Sequence, residues 1–211
     1  METLSETLKT LSALVAMMAF GIGLAQYVRA QQWKRAEFVA HQILDFENNS
    51  LVRRAMKMLD FRAGSIMVEA REIKFDDLIL TRALPHEDLI PLTTPDQADI
   101  RLAFCDFFDG LERLNHFVEA GLITPAHLNP YLPYWFNRFT TSAYKSREFM
   151  DSIWTFIDGY EYEGVRELAS KFGFRPPDPL QSEARTKQWL KNPTATSTPT
   201  GKRTGGPKKS P

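Results

Sequence analysis

Thr10-Leu11-Ser12-Ala13-Leu14-Val15-Ala16-Met17-Met18-Ala19-Phe20-Gly21-Ile22-Gly23-Leu24-Ala25-Gln26-Tyr27-Val28 is an uncharged run set between Lys9 and Arg29. As a helix it would extend roughly 28 Å, close to the thickness of a bilayer's hydrocarbon core. Three readings compete for it: a single transmembrane helix, a cleaved signal peptide, or a core helix of a soluble domain. Val28-Arg29-Ala30 resembles a small-residue cleavage site. A signal peptide, however, requires a positive leading segment, and here Glu2 and Glu6 outweigh Lys9. The apolar period also runs on past any cut, through Trp33, Ala36, Ala40 and Ile43. The reading adopted is one helix that leaves the membrane and enters a folded domain.

The flanking cations set the expected orientation. Lys9 stands alone before the run, whereas Arg29, Lys34 and Arg35 follow it. Positive charge favours the cytoplasmic side, so residues 1–9 are expected outside and the bulk of the chain in the cytoplasm, at the inner membrane. Tyr27 and Trp33 suit the interface, where an aromatic ring has one wet and one apolar side. Small residues recur four apart, Ala19 with Gly23 and Gly21 with Ala25. That spacing allows two helices to approach closely and permits a homodimer, although small residues are common in any span.

Outward from the run, the chain divides into a span at 10–28, a helical domain at 29–175 and a tail at 176–211. The 211 residues carry a formal net charge of zero, unevenly spread. From Arg175 onward eight Lys/Arg stand against two Asp/Glu, so the body is acidic and the tail basic. The single cysteine, Cys105, excludes an internal disulfide and reads as a structural thiol within an apolar helical stretch.

Within the domain, Asn48-Asn49-Ser50 breaks the first helix and Ser50 caps a second, running to about Phe61 with Val52, Met56 and Leu59 inward. Ile66 and Val68 alternate, as do Ile73 and Phe75; a small hairpin or a short helix fits this stretch. Asp76 or Asp77 caps a helix through Leu84, stopped by Pro85. Thr94-Pro95-Asp96-Gln97 opens the longest domain helix. Ile100, Phe104, Phe107, Phe108, Leu111, Leu114 and Val118 form its core-facing stripe, and Gly121 ends it. Thr124-Pro125 opens a further helix. Another is expected over Ser142–Tyr160, and a last one uses Val165, Leu168, Ala169 and Phe172 with Gly173 as its cap. Gln181–Leu190 is expected to be helical only transiently, and from Asn192 the composition is that of a disordered tail. The expected class is therefore mainly α, with a possible hairpin.

Several short runs taken in order resemble an uncharacterised bacterial family of short membrane-anchored helical proteins: Gln32-Trp33-Lys34-Arg35-Ala36-Glu37-Phe38, Met58-Leu59-Asp60-Phe61, Ala83-Leu84-Pro85-His86, Phe107-Phe108-Asp109-Gly110-Leu111-Glu112-Arg113 and Pro130-Tyr131-Leu132-Pro133-Tyr134-Trp135. The resemblance covers roughly Gln32 to Phe172. It implies a bacterial origin and a mostly helical fold, and no activity.

No residue pattern specifies a reaction. Gly21-Ile22-Gly23 lies inside the apolar run and is no phosphate loop; no serine sits in a nucleophile elbow, and no Cys/His spacing suggests zinc. Two polar faces are candidates for a metal site in a bundle core: Glu37, His41 and Asp45 on the first helix, and Asp109, Glu112 and His116 on the long helix. The Glu-x-x-His pair of di-metal bundles is absent, and a solvated polar face explains the same residues, so no cofactor is implied. His86 and His127 fall near helix ends. Tyr131, Tyr134 and Trp135 belong either to the core or to a partner groove. Lys202, Arg203, Lys208 and Lys209 are candidates for contact with anionic lipid or nucleic acid, sparse for either role, and a solubilising tail explains them equally. The expectation is a membrane-anchored interaction or regulatory module with an unidentified protein partner; a metal-dependent enzyme is one alternative, and nucleic-acid or anionic-lipid binding through the basic tail is another.

Overall fold

A computed structural model describes residues 2–85, 94–141 and 145–191; of residues 2–10, 12 and 13 it describes the backbone only. The chain is mainly helical with one antiparallel hairpin. Helix α1 (Glu2–Asn48) is continuous from the N-terminal segment into the domain. Helix α2 (Ser50–Asp60) follows after Asn49, whose side chain accepts from the backbone N–H groups of Leu51 and Val52. Asn49 is therefore the cap, and Ser50, the expected cap, is the first helical residue. Either side chain can accept the first free N–H groups of a helix.

The ambiguous stretch is a hairpin, β1 (Ala63–Val68) paired with β2 (Arg71–Asp76). Ile66 lies opposite Ile73, and both are buried with Val68 and Phe75, as the alternation predicts. Glu69 turns the chain with φ of 55°, a left-handed value usually left to Gly or Asn, which is why the sequence there lacks a turn signature. Helix α3 (Asp77–Ala83) is capped by Asp76, which accepts from Ile79 N–H at 2.7 Å.

Helix α4 (Pro95–Glu119) is the axis of the core. Thr94 accepts from Gln97 N–H at its start. Its buried stripe runs from Ile100 to Leu114 and meets the buried faces of α2, α6 (Leu132–Thr140), α7 (Arg147–Gly159) and α8 (Glu163–Lys171). Phe108 stands at the centre, with Phe107, Phe139, Phe156 and Tyr162 ring to ring around it at 5.3–5.8 Å. Such edge and tilted contacts add to ordinary apolar burial. Helix α5 (Pro125–Leu128) is a single turn between α4 and α6.

Two expected boundaries move. Helix α7 begins at Arg147, capped by Ser146, and residues 142–144 lie outside the described set. The tail expected from residue 176 instead contains helix α9 (Pro179–Lys191), which packs on α7. Its seam is polar: Ser182 and Thr186 are buried, the Thr186 hydroxyl meets that of Thr155 at 3.0 Å, and Arg185 pairs with the Asp151 carboxylate through two bonds of 2.7 and 2.8 Å. A helix docked by small polar residues carries no apolar stripe to announce it.

Among the described residues, no helix is long and apolar enough to cross a membrane. The run expected to span, Thr10–Val28, falls partly outside them, because the side chains of Thr10, Ser12 and Ala13 are not described.

Candidate functional site

Among the described residues, helix α1 is held by its C-terminal third. Val39, Ile43 and Phe46, spaced by four and three, are buried. Phe38 meets Phe117 edge to face at 5.1 Å, and Phe46 meets Phe107 at 5.6 Å. The ring of Phe46 also lies directly over Gly110, where a Cβ would come within 2.4 Å of it. As α1 ascends from 38 to 46, its partners on α4 descend from 117 to 107. The two helices are therefore antiparallel, and the N-terminal part of α1 emerges at the C-terminal end of α4.

That emerging part exposes large apolar side chains on every side of the helix. Leu11, Leu14, Met18, Phe20, Ile22 and Leu24 are all more than half exposed, with Phe20 at 74%. Leu11 to Val28 includes ten such exposed side chains. Removing them from water would be worth on the order of 10 kcal/mol, about half the full burial value for each. A helix apolar all round is normally a buried one. Patches of this size mark an interaction surface. The next turns carry Arg29, Lys34 and Arg35 with Trp33, itself 73% exposed.

The carboxylate and histidine residues are placed otherwise than a metal site requires. Glu37, His41 and Asp45 lie on the exposed side of α1, away from Val39 and Ile43, and His41 Nδ1 is 3.4 Å from Asp45. On α4, Asp109 and His116 are exposed. The Glu112 carboxylate accepts from the backbone N–H groups of Gly164 and Val165 at 3.1 and 3.0 Å. It thereby caps α8, whose own N-cap residue, Tyr162, supplies no side-chain bond. Among the described residues, no group of three or more His, Cys, Asp or Glu is arranged to hold a metal ion.

The aromatic candidates divide between surface and core. Trp135 packs edge to face against Phe107 at 6.5 Å, whereas Tyr131 and Tyr134 are exposed. The Tyr134 hydroxyl donates to Asp60, and Arg138 lies over the Tyr134 ring at 4.7 Å while pairing with Asp60 at 2.8 Å. These contacts tie α6 to the end of α2. Cys105 is half-buried, and burial, then the nearby Asp109 charge, pushes its thiol above the ordinary value, away from nucleophilic thiolate. Lys202, Arg203, Lys208 and Lys209 lie outside the described residues, as does His86.

Sequence reading missed Lys145. Its side chain is fully buried, donating to the Phe61 carbonyl at 2.6 Å and to Asp77 at 3.1 Å. Asp77 also accepts from Ser146 N–H at 2.8 Å. The group joins the ends of α2, α3 and α7. Every partner is far off in sequence, so no local pattern marks it.

Comparison of the chain with protein-family models, with curated proteins and with solved structures finds no match.

Proposed function

We propose that this chain is a membrane-tethered helical module. In this reading residues 10–28 of α1 lie in the bilayer, and the domain from residue 29 stands on the cytoplasmic side of the inner membrane. It works there as an interaction or regulatory unit. Confinement to the membrane raises its effective concentration for partners on the same surface. The observation that carries the reading is the exposure of ten large apolar side chains around α1 between Leu11 and Val28. A bilayer covers all sides of a helix at once, which a groove on another protein does not. The cations Arg29, Lys34 and Arg35 at the domain end agree with a cytoplasmic domain. A Cβ at Gly21 or Gly23 would meet nothing within 4 Å, which leaves room for a second α1 to approach.

The test is fractionation of cells expressing the full chain. It is expected to sediment with membranes, resist alkaline extraction and float with lipid in a density gradient. Protease added to spheroplasts should leave the domain intact. Recovery in the aqueous fraction would defeat the tether, and digestion of the domain from outside would defeat the orientation.

A further inference from the structure

The end of the domain from which α1 emerges carries its own features for a lipid surface. Helix α4 runs antiparallel to α1, so its C-terminus lies toward the apolar part of α1. Helix α8 runs parallel to α4: Glu112 meets Gly164, Asn115 meets Glu167 at 2.9 Å, and Glu119 meets Lys171. Both α4 and α8 therefore end on the same side. Each ends in the same manner, with a left-handed glycine. Gly121 has φ of 69°, with its N–H bonded to the Val118 carbonyl and that of Leu122 bonded to Phe117. Gly173 has φ of 81°, with the N–H of Phe174 bonded to Ala169. This six-to-one bonding fixes the residue after the glycine and usually turns it back on the helix. Phe174 does turn back and lies 5.8 Å from the Phe136 ring. Leu122 keeps 51% of its surface exposed, while Ile123 beside it is buried.

The levels along α1 decide what Leu122 meets. Phe38 and Phe117 are in contact, so they share a level. Leu122 lies about 5 Å beyond it, at the level of Lys34 and Arg35 along the helix axis, and roughly 10 Å short of Val28. The headgroup layer on each side of a bilayer is about 5–8 Å deep. With Val28 at the hydrocarbon boundary, a leucine side chain at that level reaches the outer headgroups. The charge suits an anionic surface. Lys34, Arg35 and the exposed Arg175 lie at this end, and the nearby Glu119 is paired with Lys171.

We propose that the α4–α5 loop around Leu122, together with Arg175 at the same end of the domain, forms a second membrane contact that seats this end on anionic headgroups. The inference rests on the reading that α1 is inserted in lipid. It adds that the domain docks in one orientation instead of swinging on its stalk.

The experiment uses full-length protein with Cys105→Ser and a nitroxide label placed by Leu122→Cys, reconstituted in phosphatidylethanolamine vesicles with or without phosphatidylglycerol. A matching label by Leu102→Cys, at an exposed position nearer the other end of α4, gives the water reference. In floated vesicles containing phosphatidylglycerol, the label at 122 should lose accessibility to a nickel chelate relative to the label at 102. High salt or omission of phosphatidylglycerol should reverse this. A label at 122 as open to the chelate as that at 102, in protein that floats, overturns the second contact and leaves the tether standing. Equal immobilisation of the label in detergent and in vesicles assigns the loop to a second protein and also overturns it. Protein that does not float overturns both readings.

Discussion

Lys145 is a buried cation with two defined partners, the Phe61 carbonyl and Asp77. Burial pushes its ammonium below the usual 10.5, and the Asp77 charge opposes that in part. Between the lowered value and 10.5 the unfolded chain holds a proton that the folded chain has released. Unfolding free energy therefore rises with pH through that window, and below it the buried charge is carried in full. Lys145→Met removes the charge and leaves Asp77 and the Phe61 carbonyl without this donor. We expect a loss of about 3 kcal/mol near neutral pH, the usual result of breaking one side of a buried pair. Relative to Lys145→Met, the wild type should gain stability as pH is raised toward 10.5. Urea unfolding of both proteins across alkaline pH reads this directly, and a constant difference between them would contradict it. Nothing in the sequence near Ala143-Tyr144-Lys145-Ser146 distinguishes this lysine from a surface one, because burial is decided by Phe61 and Asp77.

At the scale of elements, the junction of α1 with α4 turns on one glycine. Gly110 is helical and buried, and the Phe46 ring occupies the space over it. Gly110→Ala improves helix propensity by about 1 kcal/mol. It also places a methyl 2.4 Å from a ring that is itself buried on all sides. Overpacking of this kind costs roughly 1–3 kcal/mol, so the variant should be less stable despite the better helix former. Thermal unfolding checks the sign; a stabilised variant would mean that Phe46 can move aside. Most elements were legible because their signals are local. The stripe and caps of α4, the alternation in β1 and β2, and the glycine ending α8 all lie within a few residues of the structure they specify. Helix α9 was not legible as an ordered element. What orders it is a salt bridge to Asp151 and a hydroxyl contact with Thr155, each more than 30 residues away.

For the whole molecule, the consequence of a continuous α1 is that its exposed apolar turns and the domain are mechanically one piece but energetically two. Among the described residues, those of α1 that dock on the domain lie at Phe38 and beyond, and nothing packs on the exposed apolar turns. A chain beginning at Gln31 should keep the domain's fold and its urea stability to within about 0.5 kcal/mol, because surface changes away from packed features are nearly neutral. It should also lose the flotation expected of the full chain. Circular dichroism with urea titration reads the first outcome. Loss of the domain fold on truncation would show that the exposed turns are packed after all. The candidate polar sites were legible as patterns but not as chemistry. Two faces of carboxylates and histidine satisfy the spacing for a bundle site, yet one faces outward and the other commits Glu112 to the N-terminus of α8.

Local order was the sequence's own doing: where helices start and stop, which side of each is apolar, and that the first helix carries a long uncharged run. These follow from side-chain period, capping hydroxyls and amides, and glycine's access to left-handed backbone, all within one or two turns of chain. The tertiary structure alone decided that α1 and α4 are antiparallel, that Glu112 caps a helix it does not belong to, that Lys145 is buried, and that the ends of α4 and α8 share one side. Each depends on a pair of groups brought together from distant segments, and packing complementarity between such groups leaves no trace in the order of neighbouring residues.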